Sequence, residues 1–144
     1  MNPTLMLYPV FAQVALTFFL LIRTGRARVT AVAGGEVKVA DIALGQPAWP
    51  DRVTQLGRCY QNQFELPVLF YVFVVIYLQF IRQAHVEFLA LAWAFVALRY
   101  AHAYVHTTSN HLRTRFNLFA SGFFVLMVMW VLFAARLVLT PPPT

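Results

Sequence analysis

Three side chains of complementary chemistry stand at the mouth of an apolar run: Arg58, Asn62 and Glu65 in RCYQNQFELPVLFYVFVVIYLQF, residues 58–80. Their i, i+4, i+7 spacing puts them on one helical stripe. A second set follows in ALRYAHAYVHTTSNHLRTRF, where Arg99, His102 and His106 fall at i, i+3 and i+7 and Arg113 continues the stripe if the helix does. A guanidinium grips carboxylates with paired N–H donors, a carboxylate takes an ammonium, and amide and imidazole groups hydrogen-bond in either sense. Such sets can hold an anionic or zwitterionic ligand in a polar cavity, or they can simply tie helices together. Arg99 and Glu65 have opposite charges and a depth that suits pairing. His102 and His106, four residues apart, also have the spacing of two metal ligands on one helix face. Glu65 alone offers a third ligand at matching depth, so no metal is expected.

The elements that carry these residues follow from composition. Hydrophobic residues make up 60% of the 144 and charged residues only 11%, against ~25% charged in an average soluble domain. A soluble domain of this size has too much surface per unit volume to hide several wholly apolar helices. Crossing ~30 Å of hydrocarbon takes about 20 helical residues. Four segments qualify, at about 4–22, 64–81, 86–105 and 118–139. Strands are excluded because the runs are too long and do not alternate. The chain therefore reads as one all-α domain over 1–144, an integral membrane four-helix bundle. A loop at 23–63 rich in Gly, Pro and mixed charge forms an ordered surface excursion, RQAH makes a tight turn between spans two and three, and PPPT is an extended end. The first span lacks a positive stretch before it and a small-residue cleavage site after it, so it is not a cleaved signal.

Charge fixes the expected orientation. Arg23, Arg26, Arg28, Lys38, Arg52, Arg58, Arg113 and Arg115 fall in loops on one side, and only Arg82 and Arg136 fall on the other. The positive-inside rule then sets both basic loops in the cytoplasm and both termini away from it. The net charge of +6 is spent on topology, with no basic, aromatic-interleaved soluble stretch, and nucleic acid is excluded as a partner. Membrane lipid is the partner that composition does require. The lone Cys59 forms no intramolecular disulfide and is read as a bystander.

The motif Arg58-x-x-x-Asn62-x-x-Glu65-x-Pro67, the four-span layout, and the segments NQFELPVLFY and RYAHAYVHTTSNHLRTRF together resemble the MAPEG family, the membrane-associated proteins of eicosanoid and glutathione metabolism. The likeness covers nearly the whole chain and is greatest to bacterial members. It implies a homotrimer in a bacterial inner membrane, with glutathione as co-substrate bound between subunits near the cytoplasmic face. By the same resemblance, Arg58, Asn62 and Glu65 hold the tripeptide, and Arg99 and His102 match third-helix positions. Arg26 or Arg28 matches an arginine that contacts a glutathione carboxylate. His106 stands where characterised eukaryotic members often carry tyrosine. Arg113 or Arg115 occupies the region of the arginine that stabilises the thiolate, and the spacing leaves both open. The implied activity is conjugation or reduction of lipophilic electrophiles by a glutathione transferase or peroxidase. The alternative is a noncatalytic membrane scaffold or lipid-binding relative of the same fold.

Overall fold

A computed structural model describes residues 1–45, 48–81 and 83–139. The PPPT end and Arg82 lie outside the described residues. Asn2 opens the chain's first helical turn, its Oδ1 accepting from the Thr4 N–H at 3.0 Å, and Pro3 follows where a missing N–H costs nothing. A short 3-10 turn over Pro3–Met6 leads into α1, Leu7–Ala33. The first span thus continues as helix beyond Ile22, carrying Arg23, Arg26 and Arg28 on its extension. It ends where Gly35 takes a φ of +73°, a conformation open to glycine at little cost. The Gly34 and Glu36 N–H groups then close onto the carbonyls of Thr30 and Ala31, at 2.8 and 2.9 Å.

The segment expected as a surface excursion contains a second helix, α2, Asp51–Gln61. Val53, Leu56, Gly57 and Cys59 form its buried side, packed on α1 and α4 (Val86–Thr107). It does not run smoothly into the next helix. Asn62–Phe64 form a 3-10 turn and Glu65 adopts φ −102° and ψ −105° before α3, Leu66–Phe80. Pro67, in the first turn of α3, favours the break because it has no N–H to give the Gln63 carbonyl. The 15 residues of α3 span only about 22 Å at 1.5 Å each. Asp51–Phe80 taken as a whole is one of four helical stretches long and apolar enough to span a membrane, with Pro3–Ala33, Val86–Thr107 and Leu112–Leu139. The last of these is α5. All regular structure among the described residues is helical.

An aromatic core joins α3, α4 and α5. Phe73 is fully buried, with its ring centroid 5.5 to 5.9 Å from those of Tyr77, Phe88, Trp130 and Phe133. Phe70 stacks on Phe95 at 4.8 Å. Phe11, Phe18, Ile22, Val75 and Val131 are all at least 59% exposed, an outward apolar surface that lipid satisfies and water does not.

The turn between α3 and α4 is fastened by polar contacts. The Ala84 N–H donates to the Met1 carbonyl at 2.9 Å. Arg136 donates to Glu87 Oε1 at 3.0 Å and to His85 Nε2 at 2.7 Å. Because arginine only donates, His85 Nε2 accepts, its Nδ1 carries the proton, and that N–H meets the Tyr77 hydroxyl at 2.8 Å.

Truncation at Phe73 tests the core. Phe73→Ala should lower unfolding stability in a denaturing-detergent titration by about 3 kcal/mol, the lower end for a phenylalanine cavity because lipid-soluble surface gains little from leaving water.

Candidate functional site

The break in the second span is where the charged and polar groups gather. Arg58, on the last turn of α2, and Glu65, at the break, are exposed, Asn62 is half-buried, and Cys59 and Gln63 are buried. Arg58, Asn62 and Glu65 therefore do not share a continuous α-helix, contrary to the expectation from spacing, because the 3-10 turn re-aims the residues after Gln61.

On α4 the expected stripe is real as far as His106 and turns inward, but the helix ends at Thr107, so Arg113 does not continue it. Arg99, His102 and His106 are 1, 2 and 1% exposed. Pairing of Arg99 with Glu65 is not what forms. The Arg99 guanidinium donates instead to the backbone carbonyl of Asn62 at 3.0 Å, and the ion pair among the described residues is Arg136–Glu87. The physical reason is the break: carbonyls at the end of α2 lack helical donors and carry a partial negative charge, which a buried cation satisfies directly. Arg99 also lies over the Phe119 ring, 6.0 Å from its centroid. The His102 and His106 rings meet at 5.5 Å. Among the described residues no three His, Cys, Asp or Glu side chains gather as metal ligands would.

The two candidate arginines after α4 differ. Arg113 is exposed, whereas Arg115 is half-buried and held by a 2.6 Å hydrogen bond to Asn110 Oδ1. Arg115 lines a cavity of about 140 Å³ with Asn62, His102, Leu112, Phe116 and Phe119. The structure thus brings Asn62, His102 and Arg115 to one half-open pocket, with Arg99 bonded to the Asn62 carbonyl. Arg58 and Glu65 stand outside on the exposed face. Arg26 is elsewhere in the protomer, in a cavity of about 490 Å³ between α1 and α2 whose lining includes Arg23, Arg52 and Glu36. Arg28 lies on Trp49, its guanidinium 5.3 Å from the ring centroid.

Sequence reasoning passed over a buried amide pair. Gln13 of α1 donates to Gln63 Oε1 at 3.0 Å, and Gln63 donates to the Cys59 carbonyl at 2.9 Å. Gln55 donates to the His106 carbonyl at 2.6 Å. The available signal was Gln13 itself, an amide in the middle of an otherwise apolar span, a setting that demands a partner.

The family model of the MAPEG family matches residues 6–135. The chain belongs to the MAPEG family. Comparison with curated proteins and with solved structures returns no match. Family membership accords with the four membrane-spanning helices and makes glutathione-related chemistry in the membrane the class of function to weigh.

The amide pair gives a prediction with an internal control. Gln63→Leu should cost about 1–3 kcal/mol by stranding the Gln13 amide. The Gln13→Leu/Gln63→Leu double variant should recover most of that loss in the same unfolding titration, since no buried amide is then left unpaired.

Proposed function

We propose that this MAPEG protein is a glutathione-dependent transferase or peroxidase that acts on lipophilic electrophiles from the bilayer. It works as a homotrimer in a bacterial inner membrane, with its basic segments and its site at the cytoplasmic face and both termini on the other side. The observation that carries this reading is the exposed, unpaired state of Arg58 and Glu65 beside the broken span. Glutathione carries two carboxylates and one ammonium. Arg58 supplies a fork for a carboxylate, Glu65 an acceptor for the ammonium, and Asn62 an amide between them. Arg26 and Arg28, on the extension of α1, are the candidates for the second carboxylate, and at a subunit interface they come from a neighbouring copy.

Of the two arginines considered for the thiolate, the half-buried Arg115 is the better candidate. A free thiol has a pKa of about 8.5, and an adjacent guanidinium in a partly desolvated site lowers it by roughly one to three units. Arg113, exposed, is screened and supplies less. His102 lines the same pocket, and His106 packs against the His102 ring. Arg99 acts through Asn62, whose carbonyl it holds. An electrophile dissolved in lipid then reaches the thiolate without crossing bulk water.

Calorimetric titration with glutathione and the thiolate absorbance near 240 nm, a wavelength set by sulfur chemistry, test the reading together. Arg58→Ala should weaken glutathione binding at least about tenfold while the oligomer survives on a sizing column. Arg115→Ala should keep most of the binding and raise the titration midpoint of the bound thiol by about one unit or more. Arg113→Ala should do neither. Loss of assembly in Arg58→Ala, with no glutathione binding by the wild type at millimolar concentration, would establish the scaffold reading instead.

A further inference from the structure

The apolar run of α1 ends at Ile22, which is 60% exposed, and the helix carries on without a break to Ala33. At 1.5 Å per residue, Arg23 and Arg26 stand about 2 and 6 Å beyond that end, and a tilt of the helix only shortens both depths. The headgroup layer of a bilayer is about 5–7 Å thick on each side of its hydrocarbon. Both arginines therefore fall at the level of lipid phosphates. The Phe19 ring anchors Arg23 there, its guanidinium 5.6 Å from the centroid, a contact that keeps a cation at the edge of the apolar layer.

Arg52, in the first turn of α2, lines the same cavity of about 490 Å³ as these two. The cavity has an apolar floor of Ala31, Val53 and Leu56, none more than 5% exposed. Glu36 is the one carboxylate on the lining and pairs with none of the three arginines, since the ion pair among the described residues is Arg136–Glu87. Three arginines less one glutamate leaves the lining two positive charges in excess. Like charges gathered on one concavity repel, and the packing of α1 on α2 is made by the apolar floor without them. Guanidinium forks match phosphate oxygens two at a time, and basic pockets between helices at this level suit acidic headgroups. The cavity is open on one side, as a site for a group still tethered to the bilayer must be. An apolar floor under a charged rim fits the join of headgroup and glycerol better than it fits a hydrated ion.

We propose that this cavity binds a phosphate group at the membrane surface, with Arg23, Arg26 and Arg52 as its donors. An acidic lipid headgroup and inorganic phosphate present the same chemistry, and the depth of the arginines and the apolar floor point to the lipid. The inference rests on the membrane crossing and not on the function proposed above. It draws Arg26 out of the pair considered for a glutathione carboxylate and leaves Arg28, which lies on Trp49 and does not line this cavity.

Full-length protein in a neutral maltoside detergent is titrated with phosphatidylglycerol at constant ionic strength, with phosphatidylcholine of the same chains as control. The readouts are the thermal unfolding midpoint and the lipid retained in native mass spectra. Phosphatidylglycerol should raise the midpoint saturably by about 4 °C, and phosphatidylcholine should not. Arg23→Gln and Arg52→Gln should each weaken the apparent affinity about fivefold. Lys38→Gln, which removes an exposed cation outside the lining, should leave it unchanged. Glu36→Gln should tighten binding by about the same fivefold factor, a gain that no folding defect mimics. Equal responses to the two lipids, a loss in Lys38→Gln as large as in Arg52→Gln, or no gain in Glu36→Gln overturns the proposal. Inorganic phosphate that reproduces the shift and displaces the lipid identifies free phosphate as the source, and phosphate without effect identifies the headgroup. Glutathione that displaces the lipid assigns the cavity to the co-substrate and overturns the proposal. Lipid binding without any glutathione binding leaves this site standing while removing the proposed enzyme function.

Discussion

The hydrogen bond from Arg99 to the Asn62 carbonyl is the contact on which the half of the bundle with the broken span depends. A membrane span with a broken backbone must satisfy its freed carbonyls from within the protein, since lipid offers no donors. Pro67 favours the break, and Arg99 answers it with a charge as well as a donor. That fixes the inward turn of α4 along Arg99, His102 and His106, because residues at i, i+3 and i+7 cannot be aimed separately. It also explains how a guanidinium is tolerated at this depth: the end of α2 supplies part of the missing counter-charge.

The break divides the Arg58-x-x-x-Asn62-x-x-Glu65 motif. Residues before and after it, Arg58 and Glu65, are exposed, while Asn62 between them is drawn inward by its own carbonyl. A straight helix through this region would have kept all three on one stripe and left Arg99 with nothing to bond. The gain is a half-buried amide that borders the pocket shared with His102 and Arg115. Gln13 and Gln63 brace the same turn from α1, and Gln55 ties α2 to the His106 carbonyl. The geometry of Asn62 is therefore set by residues that need never touch a ligand.

The crossing segments were legible because bilayer thickness imposes a length and a hydropathy that few other constraints mimic. The apolar cores of the four runs agree with the four helical stretches. The continuation of α1 past Ile22 and the existence of α2 were not legible in the same way. Beyond the hydrocarbon, helix and loop sequences are both polar, and only Gly35 and Pro50 mark where those helices end and begin. The polar stripe of α4 was readable from spacing alone since that helix is unbroken. That of the second span misled, because counting in turns assumes a continuous helix and Pro67 denies it. Charge complementarity also misdirected the partner of Arg99: a search among side chains misses a backbone carbonyl, which every residue carries and no sequence displays.

The two ends of the bundle are built to opposite rules. At the turn between α3 and α4, Tyr77, His85, Glu87 and Arg136 form a chain in which each donor meets an acceptor. At the other end Arg99, His102 and His106 keep buried nitrogens without hydrogen-bond partners among the described residues, and Arg58 and Glu65 are exposed and form no ion pair among them. Unsatisfied buried groups cost stability wherever they occur, so a fold that can close one end with complete hydrogen bonding has no structural need for deficits at the other. Strain and unmet bonding capacity of this kind are kept where a ligand supplies what is missing. The asymmetry supports the end with the broken span as the place of the site proposed above.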